Sequence, residues 1–540
     1  MKYHHRKIAL SIGAAAILLS SPVAAQELSA PALDAPVVKS FESSEIKRDV
    51  LKSLKEVARA PSGERRVREK ELPRPIPYTG VPKDGGIDPV VQGAIGNPNA
   101  PQLLAPVATI GRNFDGVGQG FPGFTVASAP PDTHGAVGTT QYVQMVNSAF
   151  AVFDKATGNR LLGPTAINSL FAGFGGKCQT ANDGDPIVNW DARAQRWVIT
   201  QFAVTPRAAP FLECVAVSQT ADATGAYNRY AFSYNDFADY PKFSVWDNAY
   251  VFTFNLFNAQ GTAFLGSLVC AYDRTRMLQG LSATQQCRQL PNTVGSLLPS
   301  DPDGSSPVIA GTPSYIATLN PTSLGIYRFR PDFVTPANTT FTGPRNIPVA
   351  AYTELCSGTG TCITQPGTTT RLDALADRLM SRLSFRRYTD GRESLIVTHS
   401  VNTGLRWYEI RNPNTATTVF QQGTFAPTAT TRWLGSMGQD KNGNFGVGYS
   451  ASSSTTGVRP SIRFAARAPT DAAGTLGVEN TIIVGGGVQT GTLTRWGDYA
   501  AMTLDPVDNC TFWFTTEYLK ANGSFNWSTR IASVKLAGCN

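Results

Sequence analysis

From about residue 106 onward the chain repeats one short pattern about seven times. A turn rich in Asp, Pro or Arg leads into a short strand, then a second turn, then an aromatic or β-branched strand ending in a polar residue. The second strands read QYVQMVNS, RWVITQF, YVFTFNL, SYIATLNP, SLIVTHS, FGVGYSA and TFWFTTEY. Their polar ends are Asn147, Gln201, Asn255, Asn320, His399, Ser450 and Glu517. Asp390-Gly391 and Asn442-Gly443 are hairpin-turn dipeptides, where glycine accepts the backbone a tight reversal needs. The units recur at roughly 50 to 80 residues, near or above the length of a propeller blade. No long helical pattern interrupts them. Short strands at such spacing predict an all-β fold, and radial closure protects their edges. The expectation is a seven-bladed β-propeller over residues 106–540, preceded by an irregular N-terminal segment. Two β-sandwiches are the alternative, but they would not require a repeating unit with one polar terminus.

Composition narrows the function classes. Hydrophobic residues are 42% and charged residues 16% of the chain, against about 25% charged in an average globular protein. General disorder is excluded. The formal charge is +8, and the leader cations Lys2, Arg6 and Lys7 account for three of these, leaving +5. That excess forms no Lys/Arg stripe, so nucleic acid is not an expected partner.

Residues 1–25 are expected to be a signal peptide. Basic MKYHHRK precedes apolar IALSIGAAAILL, and Val23 and Ala25 supply small residues for a cut after Ala25. The apolar run is too short for a membrane span, which needs about 20 residues, so no transmembrane anchor is expected. The predicted location is secreted or periplasmic. Residues 26–105 read as a linker or strap, with one helix predicted over Glu45–Ala60 behind Ser43-Ser44. A propeptide, a spacer and a strap packed on the main domain remain open. Eight cysteines fall as four close pairs, Cys178 with Cys214, Cys270 with Cys287, Cys356 with Cys362 and Cys510 with Cys539. An even count in an exported chain reads as disulfides, and no CxxC spacing favours a metal site.

The segments PPDTHGAVG, NDGDPIVNWDARAQRWVITQF, DYPKFSVWDNAYVFTFN, RWLGSMGQD and RWGDYAAMTLDPVDNCTFWFTTEY carry a resemblance. Over about residues 106–539 the chain resembles a family of exported bacterial β-propeller-like proteins, and more distantly it is similar to sialidase-like propellers. That family brings no established activity with it. The sequence departs from sialidases in lacking an Asp-box of the S-x-D-x-G-x-x-W kind.

Familiar catalytic motifs are absent: no GxSxG, HExxH, P-loop or CxxCH occurs. Chemistry must come from residues gathered by the fold. In a propeller the inner strand starts on the face where the second strand ends, so two rings of residues should meet at one mouth of the channel. The inner-strand ring offers Asp132, His134, Asp185, Asp239, Lys242, Arg382, Arg432, Arg495 and Asp498, with Trp433 and Trp496 beside them. Acids dominate the early repeats and arginines the late ones. Arginines bind carboxylates or sulfates bidentately, and paired carboxyls can act as acid and base.

These features give two readings. In the first, an acidic polysaccharide is held by Arg382, Arg432, Arg495, Lys242, Trp433, Trp496, Asp132, His134 and Asp239. Glu517 or Asp498 then serves as acid/base with His399 as partner, in a hydrolase- or lyase-like reaction. In the second, the propeller binds an envelope glycan or a partner protein without catalysis. A plainer reading of the same residues is that polar strand ends bond neighbouring blades and Arg–Asp pairs lock the ring. No cofactor is required, although Asp183 and Asp185 could bind Ca²⁺ through hard oxygen ligands.

Overall fold

A strand covered on both faces must be apolar at nearly every position, and Ala249–Phe257 (AYVFTFNLF) is buried throughout. Strands of this kind dominate the computed structural model. It describes residues 34–59, 88–92, 107–357, 360–380, 382–402 and 404–540, with Met1 and residues 68–69. The chain divides into two compact units, Met1–Pro31 and Ala32–Asn540. Apart from Met1, the first unit lies outside the described residues, as do the expected signal peptide and much of residues 60–106.

Within Ala32–Asn540 the repeats become four-stranded antiparallel meanders. Their opening strands are His134–Val137, Gly184–Asp191, Phe237–Val245, Leu298–Pro302, Leu383–Arg387, Thr431–Gln439 and Ala501–Leu504. Each opening strand touches those of the meanders before and after it, and the seventh touches the first. The result is a ring of sheets around a central channel, the arrangement of a β-propeller. The fourth and fifth sheets are continuous, because Ser300–Pro302 pairs in parallel with Leu383–Phe385. The seventh sheet takes its outer strand from the far end of the chain: Ala108–Asp115 pairs antiparallel with Trp527–Leu536. This pairing closes the ring and removes two exposed edges.

The core lies between the sheets rather than inside any one of them. One apolar cluster joins Val198, Val215, Tyr230 and Phe232 of the second sheet to Phe252, Phe254 and Tyr272 of the third. All four expected disulfides are present: Cys178–Cys214, Cys270–Cys287, Cys356–Cys362 and Cys510–Cys539. Both hairpin dipeptides sit at turns, with φ of 86° at Gly391 and 85° at Gly443. Among the described residues, no helix is long and apolar enough to cross a membrane.

The helix expected over Glu45–Ala60 is replaced by Lys47–Leu51 in extended form and a four-residue helix, Leu54–Val57. An isolated helix of that length is marginal in water, whereas the outer edge of a sheet offers a full row of unpaired backbone groups. Lys47–Leu51 takes up that edge on Tyr227–Tyr234 of the second sheet. Lys39–Ser44 does the same on Thr284–Gln289 of the third. Arg229 fixes the strap through a two-pronged ion pair with Asp49, at 2.7 Å for both contacts.

Candidate functional site

The approach to several opening strands carries a left-handed residue that resets the side-chain alternation. Asp185, Tyr240 and Leu434 have φ of 45°, 55° and 50°, and each lies at a break in register between its opening strand and the next. Asp132, just before the first meander, has φ of 46°. Such bulges re-aim side chains, and left-handed backbone at non-glycine positions clusters at functional sites. Here the result is a set of acidic and aromatic groups gathered at the mouth.

Asp132, Asp185, Asp498 and Glu517 converge there from three sheets. Asn147 spans the first two: its amide nitrogen donates to Asp132, and its carbonyl accepts the Asp185 amide at 3.2 Å. Asp132 accepts the backbone N–H of Asp498 at 3.0 Å. Glu517 accepts the N–H of Gly497. Arg495 joins Asp498, at 2.8 and 2.9 Å, to Asp373 at 2.5 Å. The Tyr499 hydroxyl lies 3.2 Å from Asp185 and 3.1 Å from the Pro241 carbonyl. The Lys242 ammonium sits 3.1 Å from the ring centre of Tyr240 and 3.6 Å from that of Tyr499. Segment Arg495–Tyr499 therefore reaches from the seventh sheet to groups of the first, second and third.

A second layer comes from residues 360–380, between the fourth and fifth meanders. Leu372, Ala374, Leu375 and Ala376 join the apolar cluster that holds Tyr240, Trp496 and Tyr499. Asp373 accepts the Trp496 N–H at 2.8 Å. Arg378 pairs with Asp377 and lies 4.8 Å from the Tyr240 ring centre. Sequence reasoning missed Tyr240, Tyr499, Asp373, Asp377 and Arg378. For the two tyrosines a signal exists: Asp-Tyr recurs in DYPKF and GDYAA. For Asp373, Asp377 and Arg378 no periodic signal places the insertion over the ring.

Burial sets the electrostatics. It pushes the Glu517 carboxyl well above the usual range, and the charges of Asp132 and Asp373 add to that against the Gly497 N–H and Arg495. Burial lifts Asp373 to about 6, with Arg495 opposing. Lys242 is pushed well below the usual lysine range by burial, while Asp185 and Asp498 pull it back. A neutral carboxyl beside ionisable ones is an arrangement suited to acid/base work.

Several expected site residues lie elsewhere. His399 is fully buried, 3.0 Å from the Tyr408 hydroxyl and edge-on to Tyr352, and shares no described partner with Glu517. Burial, then the charge of Arg406, holds its imidazole well below the normal range. It is a neutral interior group. Arg432 is also fully buried, spending its guanidinium on Glu479, Thr428 and Thr430. Arg382 is held by Asp301 and Asp303. Trp433 and Trp496 have no exposed surface and pack on each other at 5.7 Å, so neither can stack on a sugar. His134 accepts the Val188 N–H at 3.4 Å, and burial followed by the charges of Lys242 and Arg382 brings it down to about 3. Asp239 stays at the rim, half-buried, and accepts the Tyr240 N–H at 2.9 Å.

The cation site expected from Asp183 and Asp185 has a different explanation. Asp183 accepts the N–H groups of Val204 and Thr205 and the Thr205 hydroxyl, at 2.7 to 2.9 Å, so its oxygens hold a turn. Asp185 is turned to Tyr499 instead. Among the described residues no group of three or more His, Cys, Asp or Glu is arranged to hold a metal.

No family model matches the chain, and no curated protein matches it. Solved structures do. A protein of unknown function from Dyadobacter fermentans is 10% identical, with a TM-score of 0.36 over 79% of this chain and 99% of its own. The α-L-arabinanase of Penicillium chrysogenum complexed with arabinobiose is 9% identical, with a TM-score of 0.35 over 80% and 100%. The phage phi92 endosialidase is 8% identical, with a TM-score of 0.34 over 79% and 69%. Likenesses this slight transfer no residue and no activity.

Proposed function

We propose that the protein is an exported propeller that acts on an extracellular polysaccharide at this mouth, with Glu517 as proton donor and Asp498 as its carboxylate partner. One observation carries the reading: burial beside Asp132 and Asp373 pushes the Glu517 carboxyl well above the usual range, and Gly497, whose N–H it accepts, adjoins Asp498 in the chain. Glycosidic hydrolysis asks for two carboxyl groups at one site, one of them serving as the acid. The four disulfides and the leader-like first 25 residues support export.

The acidic-polysaccharide reading rested on free arginines, and Arg382, Arg432 and Arg495 are all engaged by internal carboxylates. Asp185, Asp239 and Asp498 are half-buried there, and Asp498 is paired with Arg495. With Arg382, Arg432 and Arg495 engaged internally, that set leaves no guanidinium to hold a polyanion, which favours an uncharged glycan. Incubating the mature protein with neutral and acidic polysaccharides, and following reducing ends and unsaturated products, tests this. Cleavage of a neutral glycan that is lost in Glu517→Gln, with binding retained, is the expected result.

The non-catalytic reading has an observation of its own. Arg495–Tyr499 crosses the mouth and bonds to Asp132, Asp185, Asp373 and Pro241. Binding of a glycan with unchanged chain length in the same assay would decide for it.

A further inference from the structure

Glu213 is a carboxyl that the proposed site does not use. It lies on Phe211–Ser218 of the second sheet, in register with Phe202 on one side and Phe232 on the other, so the three share a face. That face packs on the third sheet, where Phe232 stacks on Tyr272 at 4.0 Å. Glu213 is 1% exposed, and the Thr200 hydroxyl of the neighbouring strand lies against its carboxyl. Thr200 is equally buried and, being neutral, brings no charge to offset a carboxylate. A carboxyl in such a place persists only as the neutral acid, because an ionised one would be an uncompensated charge.

The groups acting on it come from every strand around it, and none is a cation. Asp185 bears on it from the opening strand of the second sheet and Thr200 from the next. Tyr234 and Tyr272 lie within its electrostatic reach on the last strand of that sheet and the third strand of its neighbour. The two tyrosine hydroxyls bond to each other, and Tyr234 also donates to Gln285 at 3.1 Å. Burial holds both tyrosines well above the usual range, so they stay neutral while Glu213 titrates. Phe254 closes the box, 5.2 Å from Tyr234.

We propose that Glu213 makes the seam between the second and third sheets a pH-sensitive joint, which loosens on the alkaline side and passes that loosening to the mouth through Asp185. Removing the proton puts a second negative charge near Asp185, whose partner Tyr499 belongs to the segment crossing the mouth. The joint works whether or not the mouth turns over a glycan. Burial first, and the Asp185 charge with it, brings the Glu213 carboxyl up to about 8 from the ordinary 4.5. The sign follows: a group whose folded value is raised stabilises fully below its unfolded value, and that stabilisation is lost as pH rises to the folded one.

Denaturant melts of the full chain and of Glu213→Gln between about pH 6 and 10 test the joint. The wild-type folding constant should fall relative to the variant by about tenfold per pH unit up to about pH 8, then run parallel. Above that pH, hydrogen exchange at residues 184–187 and 495–499 should be faster in the wild type than in Glu213→Gln. Parallel melts across the whole range, or equal exchange at the mouth, would overturn the proposal. If the variant does not fold, carboxyl-labelled glutamate followed by NMR in the wild type, with the Glu213 and Glu517 resonances assigned separately, decides: Glu213 should titrate near 8. A Glu213 resonance titrating below about 7 would overturn it equally.

Discussion

The two sides of the ring use equivalent positions in opposite ways. In the late sheets the charged residues near strand starts are guanidiniums tied to interior acids. Arg382 goes to Asp301 and Asp303, Arg432 to Glu479, and Arg406 further along the fifth sheet to Asp88. In the early sheets the corresponding residues are acids, served by backbone N–H groups, an asparagine amide and a tyrosine hydroxyl. A guanidinium–carboxylate pair in low dielectric is hard to open, so the late side reads as the frame. Carboxylates that accept from N–H groups, an amide and a hydroxyl can exchange such donors for a ligand, so the early side offers binding groups beside Glu517 and Asp498 of the seventh sheet.

Removing one partner of a frame pair should give the largest effect. Arg382→Ala leaves Asp301 and Asp303 buried without their cation and should cost about 3–5 kcal/mol in a urea melt. A loss below about 1 kcal/mol would put Arg382 among exposed ion pairs and erase the contrast. The next effect concerns His134, at the start of the first opening strand. Its folded value, brought down to about 3, lies below the ordinary 6.5, so the folded state binds fewer protons in that window. Stability should be full above about pH 6.5 and decline as pH falls, by about 2 kcal/mol at pH 5. His134→Gln should remove that part of the acid slope; an unchanged slope would mean that His134 charges freely in the folded protein. The smallest effect belongs to the early rim. Asp185→Asn removes charge but can keep the hydrogen bond from Tyr499, and should shift stability by about 1 kcal/mol or less. A loss as large as that of Arg382→Ala would make the two sides alike.

Strands and disulfides were readable for one reason. A sheet buried on both faces writes unbroken runs such as YVFTFNL, and cysteines on adjacent strands, as in Cys270–Cys287, stay close in sequence. Side-chain direction was harder to read. Position counting along a strand assumes regular alternation, and the bulges at Asp185, Tyr240 and Leu434 reset it. Trp433, beside the bulge at Leu434, is fully buried and packs on Trp496. His399, at a polar strand end like Glu517, faces Tyr352 and Tyr408 instead. Exposure was the quantity missing: the sequence marks a tryptophan as a stacking surface or as core equally well.

The pairing of Ala108–Asp115 with Trp527–Leu536 also imposes an order in time. A chain made from its N-terminus presents Ala108–Asp115 before any of the seven opening strands, and its partner arrives more than 400 residues later. Until then the early strand has nothing to pair with, and the ring has no closure. Contacts of such sequence separation are the slow ones to form, so the growing chain spends its whole synthesis with one strand waiting. Any factor that shields an extended, half-apolar segment during that interval would act on folding yield and leave the finished protein unchanged.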